Sequence, residues 1–148
     1  MTRYLLDTNL LIALAWPQHI HHAQAHAWFG KTGHQAWATC PITQLGFVRI
    51  SSNAKIIPAA VSPREAIAML EKIIAFPGHE FWPDDLAPSA AMTFASLALV
   101  GYRQITDAYV VALAQYHKGA LATFDRGIGE LISAGKDRMR YVTVVDVR

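Results

Sequence analysis

The sequence is poor in charged residues, in cysteine and in long apolar runs, and each shortage excludes a class of protein. Charged residues fill 16% of its 148 positions and hydrophobic residues 53%, a balance that excludes intrinsic disorder. The single cysteine, Cys40, cannot form an internal disulfide, so we expect a reducing compartment, most simply the cytoplasm. No uninterrupted run approaches the ~18 apolar residues of a membrane span, so we expect no membrane partner.

The charge balance is close to neutral and does not by itself indicate a partner. Thirteen Lys and Arg against eleven Asp and Glu give a net charge of +2, too small a surplus to predict nucleic-acid binding. The length predicts a single domain over residues 1–148, because domains commonly hold ~100–200 residues. Since acids are scarce, each aspartate in an apolar context becomes informative.

Short apolar strands alternate with helices along the chain. This alternation predicts a parallel sheet covered on both faces, a three-layer α/β/α fold with Rossmann-like topology. The predicted strands cover residues 3–6, 37–39, 81–83, 120–124 and 141–147. The predicted helices cover residues 9–15, 22–29, 42–51, a helix opened by the Ser62–Glu65 capping box, 89–100, 107–118 with Thr106 as cap, and 127–134.

Three aspartates are predicted to meet at one edge of this sheet. Asp7 follows the first strand, Asp125 follows the strand that ends at Phe124, and Asp107 opens the helix leading into that strand. Ligand sites in open parallel sheets form at the carboxyl ends of strands. Converging carboxylates repel one another unless a cation lies between them, and oxygen ligands favour Mg²⁺ or Mn²⁺. Taken singly, Asp7 and Asp125 also suit turns and Asp107 a helix cap.

The residues around these aspartates resemble the motifs of PIN-domain ribonucleases, and most closely those of VapC-type toxins of bacterial toxin–antitoxin pairs. The resemblance runs from about Arg3 to Val145, with roughly 100 and 18 residues between successive aspartates, and identifies the fold as PIN-like. The motifs that carry it are Leu5-Leu6-Asp7-Thr8-Asn9, Ile105-Thr106-Asp107-Ala108-Tyr109-Val110-Val111-Ala112-Leu113-Ala114 and Leu121-Ala122-Thr123-Phe124-Asp125-Arg126.

The resemblance implies roles for individual residues. It makes Asp7, Asp107 and Asp125 the metal-binding catalytic carboxylates of a Mg²⁺- or Mn²⁺-dependent endoribonuclease that cuts RNA with a metal-activated water. Asn9 matches the polar residue that steadies the first aspartate, and Thr123 the hydroxyl beside the last one. Among the arginines and lysines that could contact phosphates, Arg126 and Arg103 are the ones we single out.

One position departs from the family pattern. PIN nucleases usually carry a glutamate in the helix after the second strand, and Gln44 stands at the matching position. Glutamine keeps an oxygen that can bind metal or water but gives up a negative charge, so the resemblance predicts weak, Mn²⁺-favouring activity. Replacing Gln44 by Glu is then expected to tighten metal binding.

The resemblance also implies partners. They are an RNA substrate, a second copy of the chain in a homodimer, and a cognate antitoxin, through which alone DNA would be contacted. An antitoxin arginine entering the acidic cleft would neutralise the carboxylates and displace the metal.

One rival function stays open: a catalytically impaired PIN-like module that binds RNA or protein, because Gln44 replaces the usual acid. A phosphatase fits less well, since Asn9 stands where a second aspartate is usual. The histidines His19, His21, His22 and His26 are expected to be a solvated helix face rather than a zinc site.

Overall fold

A five-stranded, all-parallel sheet forms the centre of the protein. The computed structural model describes residues 1–94, 101–129 and 140–147. The strand order in the sheet is β3-β2-β1-β4-β5. The strands are β1 (Tyr4–Leu6), β2 (Trp37–Thr39), β3 (His79–Phe81), β4 (Ala120–Thr123) and β5 (Val142–Val144).

Helices connect the strands and lie against the sheet. They are α1 (Thr8–Ala15), α2 (His22–Lys31), α3 (Pro41–Ser51), α4 (Pro63–Ile74), α5 (Pro88–Phe94), α6 (Ile105–Tyr116) and α7 (Arg126–Gly129), with short 3₁₀ helices at Gly33–Gln35 and Tyr102–Gln104. The predicted start of α4 is confirmed, because Ser62 Oγ accepts a hydrogen bond from the backbone N–H of Glu65 at 3.2 Å. Among the helices of the described ranges, none is long and apolar enough to cross a membrane.

Both faces of the central strands β1 and β4 are buried by helices, which explains why these two strands are apolar up to Thr123. Leu5 and Leu121 pack in a core with residues of α6, whereas their neighbours Leu6 and Ala122 pack on the opposite face with residues of α1 and α3. Successive side chains of a strand point to opposite faces, so two adjacent buried residues require two covering layers. The predicted three-layer α/β/α fold is confirmed.

The strand order creates one topological switch point, between β1 and β4, at which the direction of winding reverses. From β1 the chain moves outward through β2 to β3, then returns to the other side of β1 for β4 and β5. Strands β1 and β4 therefore lie side by side, with Leu5 opposite Leu121 and Leu6 opposite Ala122. A crevice forms beyond the carboxyl ends of two such strands, and Asp7 and Asp125 follow those ends.

The position of β3 and the cap of α6 differ from the prediction. Strand β3 is His79–Phe81 rather than 81–83, because an edge strand tolerates polar residues and Pro83 has no N–H to continue the ladder. Thr106 is not the cap of α6: the helix begins at Ile105, directly after the 3₁₀ turn that ends at Gln104.

Further differences lie at the ends of elements, as in α6, which ends at Tyr116 rather than at Lys118. Helix α1 begins at Thr8, one residue before the prediction, and β5 is shorter than the predicted 141–147. The predicted helices over 89–100 and 127–134 are described up to Phe94 and Gly129, and their remaining residues lie outside the described ranges.

Candidate active site

Asp7 is fixed at the junction between β1 and α1. Its backbone N–H donates to the carbonyl of Ala122 at 2.9 Å, which continues the pairing of β1 with β4. Its side chain caps α1, with Oδ1 accepting from the N–H of Thr8 at 2.8 Å. A capping carboxylate also interacts favourably with the positive end of the helix. The same sequence that ends the strand and starts the helix therefore holds this carboxylate in place.

The hydroxyl of Thr123 joins the two aspartates at the ends of β1 and β4. It donates to Asp7 Oδ2 at 2.6 Å and accepts from the backbone N–H of Asp125 at 3.0 Å. It also accepts from Nδ2 of Asn9 at 3.2 Å, while Asn9 Oδ1 accepts from the N–H of Phe124 at 3.3 Å. A hydroxyl has one donor and two acceptor sites, so all of its hydrogen-bonding capacity is used.

Thr123 bonds the backbone of Asp125, the aspartate to which the resemblance assigns it, and Asn9 reaches Asp7, its own assigned aspartate, through the Thr123 hydroxyl. Thr123, matched to the last aspartate, makes a direct side-chain bond to the first one, Asp7. Asn9, matched to the first aspartate, bonds Thr123 and the backbone of Phe124 at the end of β4. Both residues therefore tie the carboxyl ends of β1 and β4 together.

Asp107 completes the group from the first turn of α6. Its pKa is raised from an ordinary value of 3.8 to about 6, because burial disfavours the charged form and because Asp7 and Asp125 repel it. The pKa of Asp7 is also raised, mainly by burial, with a smaller repulsion from Asp125, against the opposing effect of its bonds to Thr123 and Thr8. The structure brings all three predicted aspartates within electrostatic range of one another.

The three carboxylates do not form a closed ligand cage. Over the described ranges, no three His, Cys, Asp or Glu side chains are arranged as a ready set of ligands for one ion. The donors that Asp7, Asp107 and Asp125 offer are oxygen atoms only, which is the chemistry that hard cations prefer.

The structure does not bring Gln44 to these aspartates. Its side-chain Nε2 donates to Thr39 Oγ1 at 2.9 Å, and Thr39 Oγ1 lies 2.7 Å from His79 Nε2. Gln44 also lines a groove between α3 and α4. The face of α3 that meets the start of α1 carries Gly46, where a Cβ atom would lie 2.6 Å from Thr8 Oγ1. Two residues turn a helix by about 200°, so Gln44 faces the other way.

Of the two arginines predicted to contact phosphates, the structure describes Arg126 fully and Arg103 only in its backbone. Arg126 is exposed at the start of α7, directly after Asp125. The backbone of Arg103 lies in the 3₁₀ turn Tyr102–Gln104, and its side chain lies outside what the structure describes.

The histidines serve the packing of α1 against α2. His22 Nδ1 lies 2.7 Å from the carbonyl of Ala13, and His26 Nε2 lies 2.8 Å from the carbonyl of Leu14. They bind the last carbonyls of α1, which lack partners within the helix. The expectation of a solvated helix face is met only in part, because His26 is exposed whereas His19, His21 and His22 are partly buried.

Asp84 and Asp85, in the loop after β3, have separate surroundings. Asp85 Oδ1 lies 2.9 Å from Nε2 of His117. Asp84 instead lines a slot formed with Leu86, Ile105 and Thr106, beside the first turn of α6. The sequence does not distinguish these adjacent aspartates. Which one lines the slot depends on the conformation of the loop after β3, which no sequence pattern predicts.

Comparison with known proteins agrees with this geometry. The PIN domain family matches residues 4–132. Ribonuclease VapC39 of Mycobacterium tuberculosis is 44% identical over 131 residues, covering 88% of this chain and 94% of that protein. Ribonuclease VapC38 of the same species is 44% identical over 124 residues, covering 84% and 86%.

Solved structures share the fold at low identity. The VapBC2 complex of Rickettsia felis bound to a promoter DNA fragment matches with a TM-score of 0.60 and 12% identity, over 97% of this chain and 99% of that chain. FitAB bound to an IR36 DNA fragment matches with a TM-score of 0.61 and 19% identity, over 95% and 94%. With its three aspartates at the switch point and this degree of identity, the chain belongs to the PIN-domain family and, within it, to the VapC type.

Proposed function

We propose that this protein is a metal-dependent endoribonuclease, the toxin of a toxin–antitoxin pair, which hydrolyses RNA phosphodiester bonds with a metal-activated water. Its relatives at 44% identity are named ribonucleases VapC39 and VapC38. The observation that carries the proposal is the meeting of Asp7, Asp107 and Asp125 at the switch point between β1 and β4.

The electrostatics of this site support a cation as its normal occupant. Burial and like-charge repulsion raise the pKa values of Asp7 and Asp107, so the charged forms are disfavoured in the protein alone. Perturbed carboxylates in a cleft are typical of functional sites rather than of turns or caps. A bound cation would remove the repulsion that the fold maintains.

Asp7, Asp107 and Asp125 are the residues that would hold Mg²⁺ or Mn²⁺, directly or through water. Such an ion, when bound, lowers the pKa of its water and offsets charge on the leaving oxygen. The chain itself orients Asp7 through Thr123 and Thr8. Exposed Arg126, next to Asp125, is placed to contact a phosphate of the substrate.

Cleavage of an RNA panel tests this function. We expect cleavage with Mg²⁺ or Mn²⁺, its loss in EDTA and its return when excess metal is added. The rival binding module predicts RNA or protein binding without cleavage at every metal concentration, and that result would overturn the nuclease. Cleavage that persists in EDTA would contradict the metal dependence alone.

We propose two protein partners, a cognate antitoxin and a second copy of this chain. The VapBC2 complex, whose fold this chain shares, supports the antitoxin, and the second copy rests on the family resemblance alone. An antitoxin arginine would pair with the aspartates at the switch point and compete with metal. The adjacent reading frame should encode a short antitoxin-like protein whose addition abolishes cleavage, and light scattering should give twice the 16.3 kDa chain mass.

A further inference from the structure

A slot opens beside the three aspartates, on the side of β2 and β3. Its volume is about 340 Å³, within the range of small-ligand sites. The start of α3, the loop after β3 and the start of α6 form its walls, with Ile42, Leu86 and Ile105 as apolar lining and Asp84 and Thr106 as polar residues. Ile105 is 47% exposed, so the slot is open to solvent along α6.

The slot adjoins the candidate active site through the first turn of α6. Thr106 lines the slot and Asp107 belongs to the aspartate group, and consecutive Cα atoms are only about 3.8 Å apart. Because the slot and the aspartates share the first turn of α6, a neighbouring nucleotide of an RNA strand whose phosphate lies at the aspartates is within reach of the slot. Apolar walls suit the faces of a base, and a base in single-stranded RNA can be splayed out into such a slot.

The polar groups of the slot limit which base fits. The hydroxyl hydrogen of Tyr109 is not available to a base, because it is donated to the carbonyl of Leu86 at 2.8 Å. Asp84 is exposed at the slot. Burial raises the pKa values of Tyr109 and Cys40, and the negative charge of Asp84 raises them further. A carboxylate repels phosphates but accepts hydrogen bonds from base N–H groups.

Guanine matches this carboxylate better than the other bases do. Its Watson–Crick edge presents two adjacent donors, N1–H and N2–H, which can bind the two oxygens of a carboxylate side by side. Adenine and cytosine place a ring acceptor beside their amino group, and uracil flanks its one N–H with two carbonyls. Each of these would set an acceptor against Asp84.

We propose that the slot binds a guanine adjacent to the scissile phosphate and that Asp84 is the residue that selects it. This inference rests on the proposed nuclease function and adds a base preference to it. Asp84 is thus a specificity-determining residue that takes no part in the hydrolysis.

A randomised RNA pool cleaved by the wild-type protein, with cut sites mapped by sequencing, tests the inference. We expect guanine to be enriched at one fixed position next to the cut, and Asp84→Asn to reduce that preference about tenfold, the scale of a lost bidentate base contact. Asp85→Asn is the matched control, because Asp85 pairs with His117 instead, and its preference should equal that of the wild type.

Two further measurements separate the possible outcomes. Replacing the preferred guanine by inosine, which lacks the 2-amino group, should lower kcat/KM several-fold for the wild type and leave Asp84→Asn unaffected. Ala87→Phe, which fills the slot from its wall, should raise KM. Metal-dependent cleavage without a guanine preference, or with one that survives Asp84→Asn, would overturn this inference while leaving the nuclease intact. Absence of any metal-dependent cleavage would overturn both.

Discussion

Thr123 donates its only hydroxyl hydrogen to Asp7, with Thr123 Oγ1 lying 2.6 Å from Asp7 Oδ2. The direction of this bond is fixed, because the two acceptor sites of the hydroxyl are taken by the N–H of Asp125 and the amide of Asn9. Asp7 is therefore held as a hydrogen-bond acceptor, the form in which a carboxylate can bind a cation. One side chain sets the relative positions of two of the three catalytic candidates.

Replacing Thr123 by Val should remove this link at almost constant volume. The substitution leaves the amide of Asn9 and the N–H of Asp125 without their shared acceptor, so we expect the free energy of unfolding to fall by about 1–3 kcal/mol. It also removes a bond that lowers the pKa of Asp7, so the acidic limb of the cleavage pH profile should move to higher pH. Urea unfolding and pH–rate profiles measure the two effects.

Thr123→Ser is the matched control for that substitution, because serine keeps the hydroxyl. It should retain the wild-type pH profile, with a small loss of stability from the missing methyl group. A Val variant whose profile coincides with that of Ser would show that the hydroxyl does not act on Asp7.

Asp107 should make the metal-free protein less stable as the pH rises. Its pKa in the folded protein is about 6 against an ordinary 3.8. Between these two pH values, Asp107 therefore binds more protons in the folded state than in the unfolded state. Below about pH 4 Asp107 is protonated in both states, and its charge does not lower the free energy of unfolding. As the pH rises, the free energy of unfolding falls, and it is lowest above about pH 7. Asp107→Asn should raise the Tm at neutral pH by about 3 °C, or on the order of 1 kcal/mol once solvent screening of a half-exposed group is allowed for.

Thermal unfolding of both proteins across this pH range measures the effect. The Tm difference should vanish near pH 4, and Mg²⁺ should raise the Tm of the wild type more than that of Asp107→Asn. An Asn variant that is less stable than the wild type at every pH would mean that Asp107 serves α6 as a structural cap.

Gln44→Glu should leave metal affinity within about twofold of the wild type, because Gln44 faces away from the aspartates and solvent screens a distant charge. The substitution removes the donor to Thr39 Oγ1, so stability should fall by about 1 kcal/mol. Isothermal titration calorimetry with Mn²⁺ checks the affinity. A tightening of tenfold or more would instead support Gln44 as the position of a missing fourth acid.

Arg126→Ala should weaken RNA binding without abolishing cleavage. Removing one phosphate contact to single-stranded RNA lowers the slope of log affinity against log salt by about 0.7. Arg64→Ala, at an exposed arginine of α4, is the control and should leave the slope unchanged. Equal slopes for both variants and the wild type would place the RNA elsewhere.

The sheet could be predicted from sequence because both of its faces are buried. Leu5, Leu6, Leu121 and Ala122 are all fully buried, and such continuous apolar runs are typical of parallel strands. The same reasoning misplaced strand β3 by two residues, because His79 and Glu80 are polar. A strand at the edge of the sheet does not require an apolar run.

The three aspartates were predictable because two of them follow strand ends and the third, Asp107, opens the helix that leads into β4. Asp7 and Asp125 follow β1 and β4, so topology alone places them. The direction of Gln44 depends on how α3 is rotated, which the contact between Gly46 and Thr8 sets. That contact joins residues far apart in sequence, so it becomes visible only in the folded chain.

The rate of Mg²⁺- or Mn²⁺-dependent RNA cleavage by Asp7→Asn tests the central claim most directly. The substitution keeps the size of the side chain but removes the charge that Thr123 orients. We predict a folded protein whose cleavage rate falls at least about 100-fold, the scale expected on losing a catalytic group, while Asp85→Asn cleaves at the wild-type rate. Cleavage by Asp7→Asn within about threefold of the wild type would contradict a metal-dependent nuclease site built on these three aspartates.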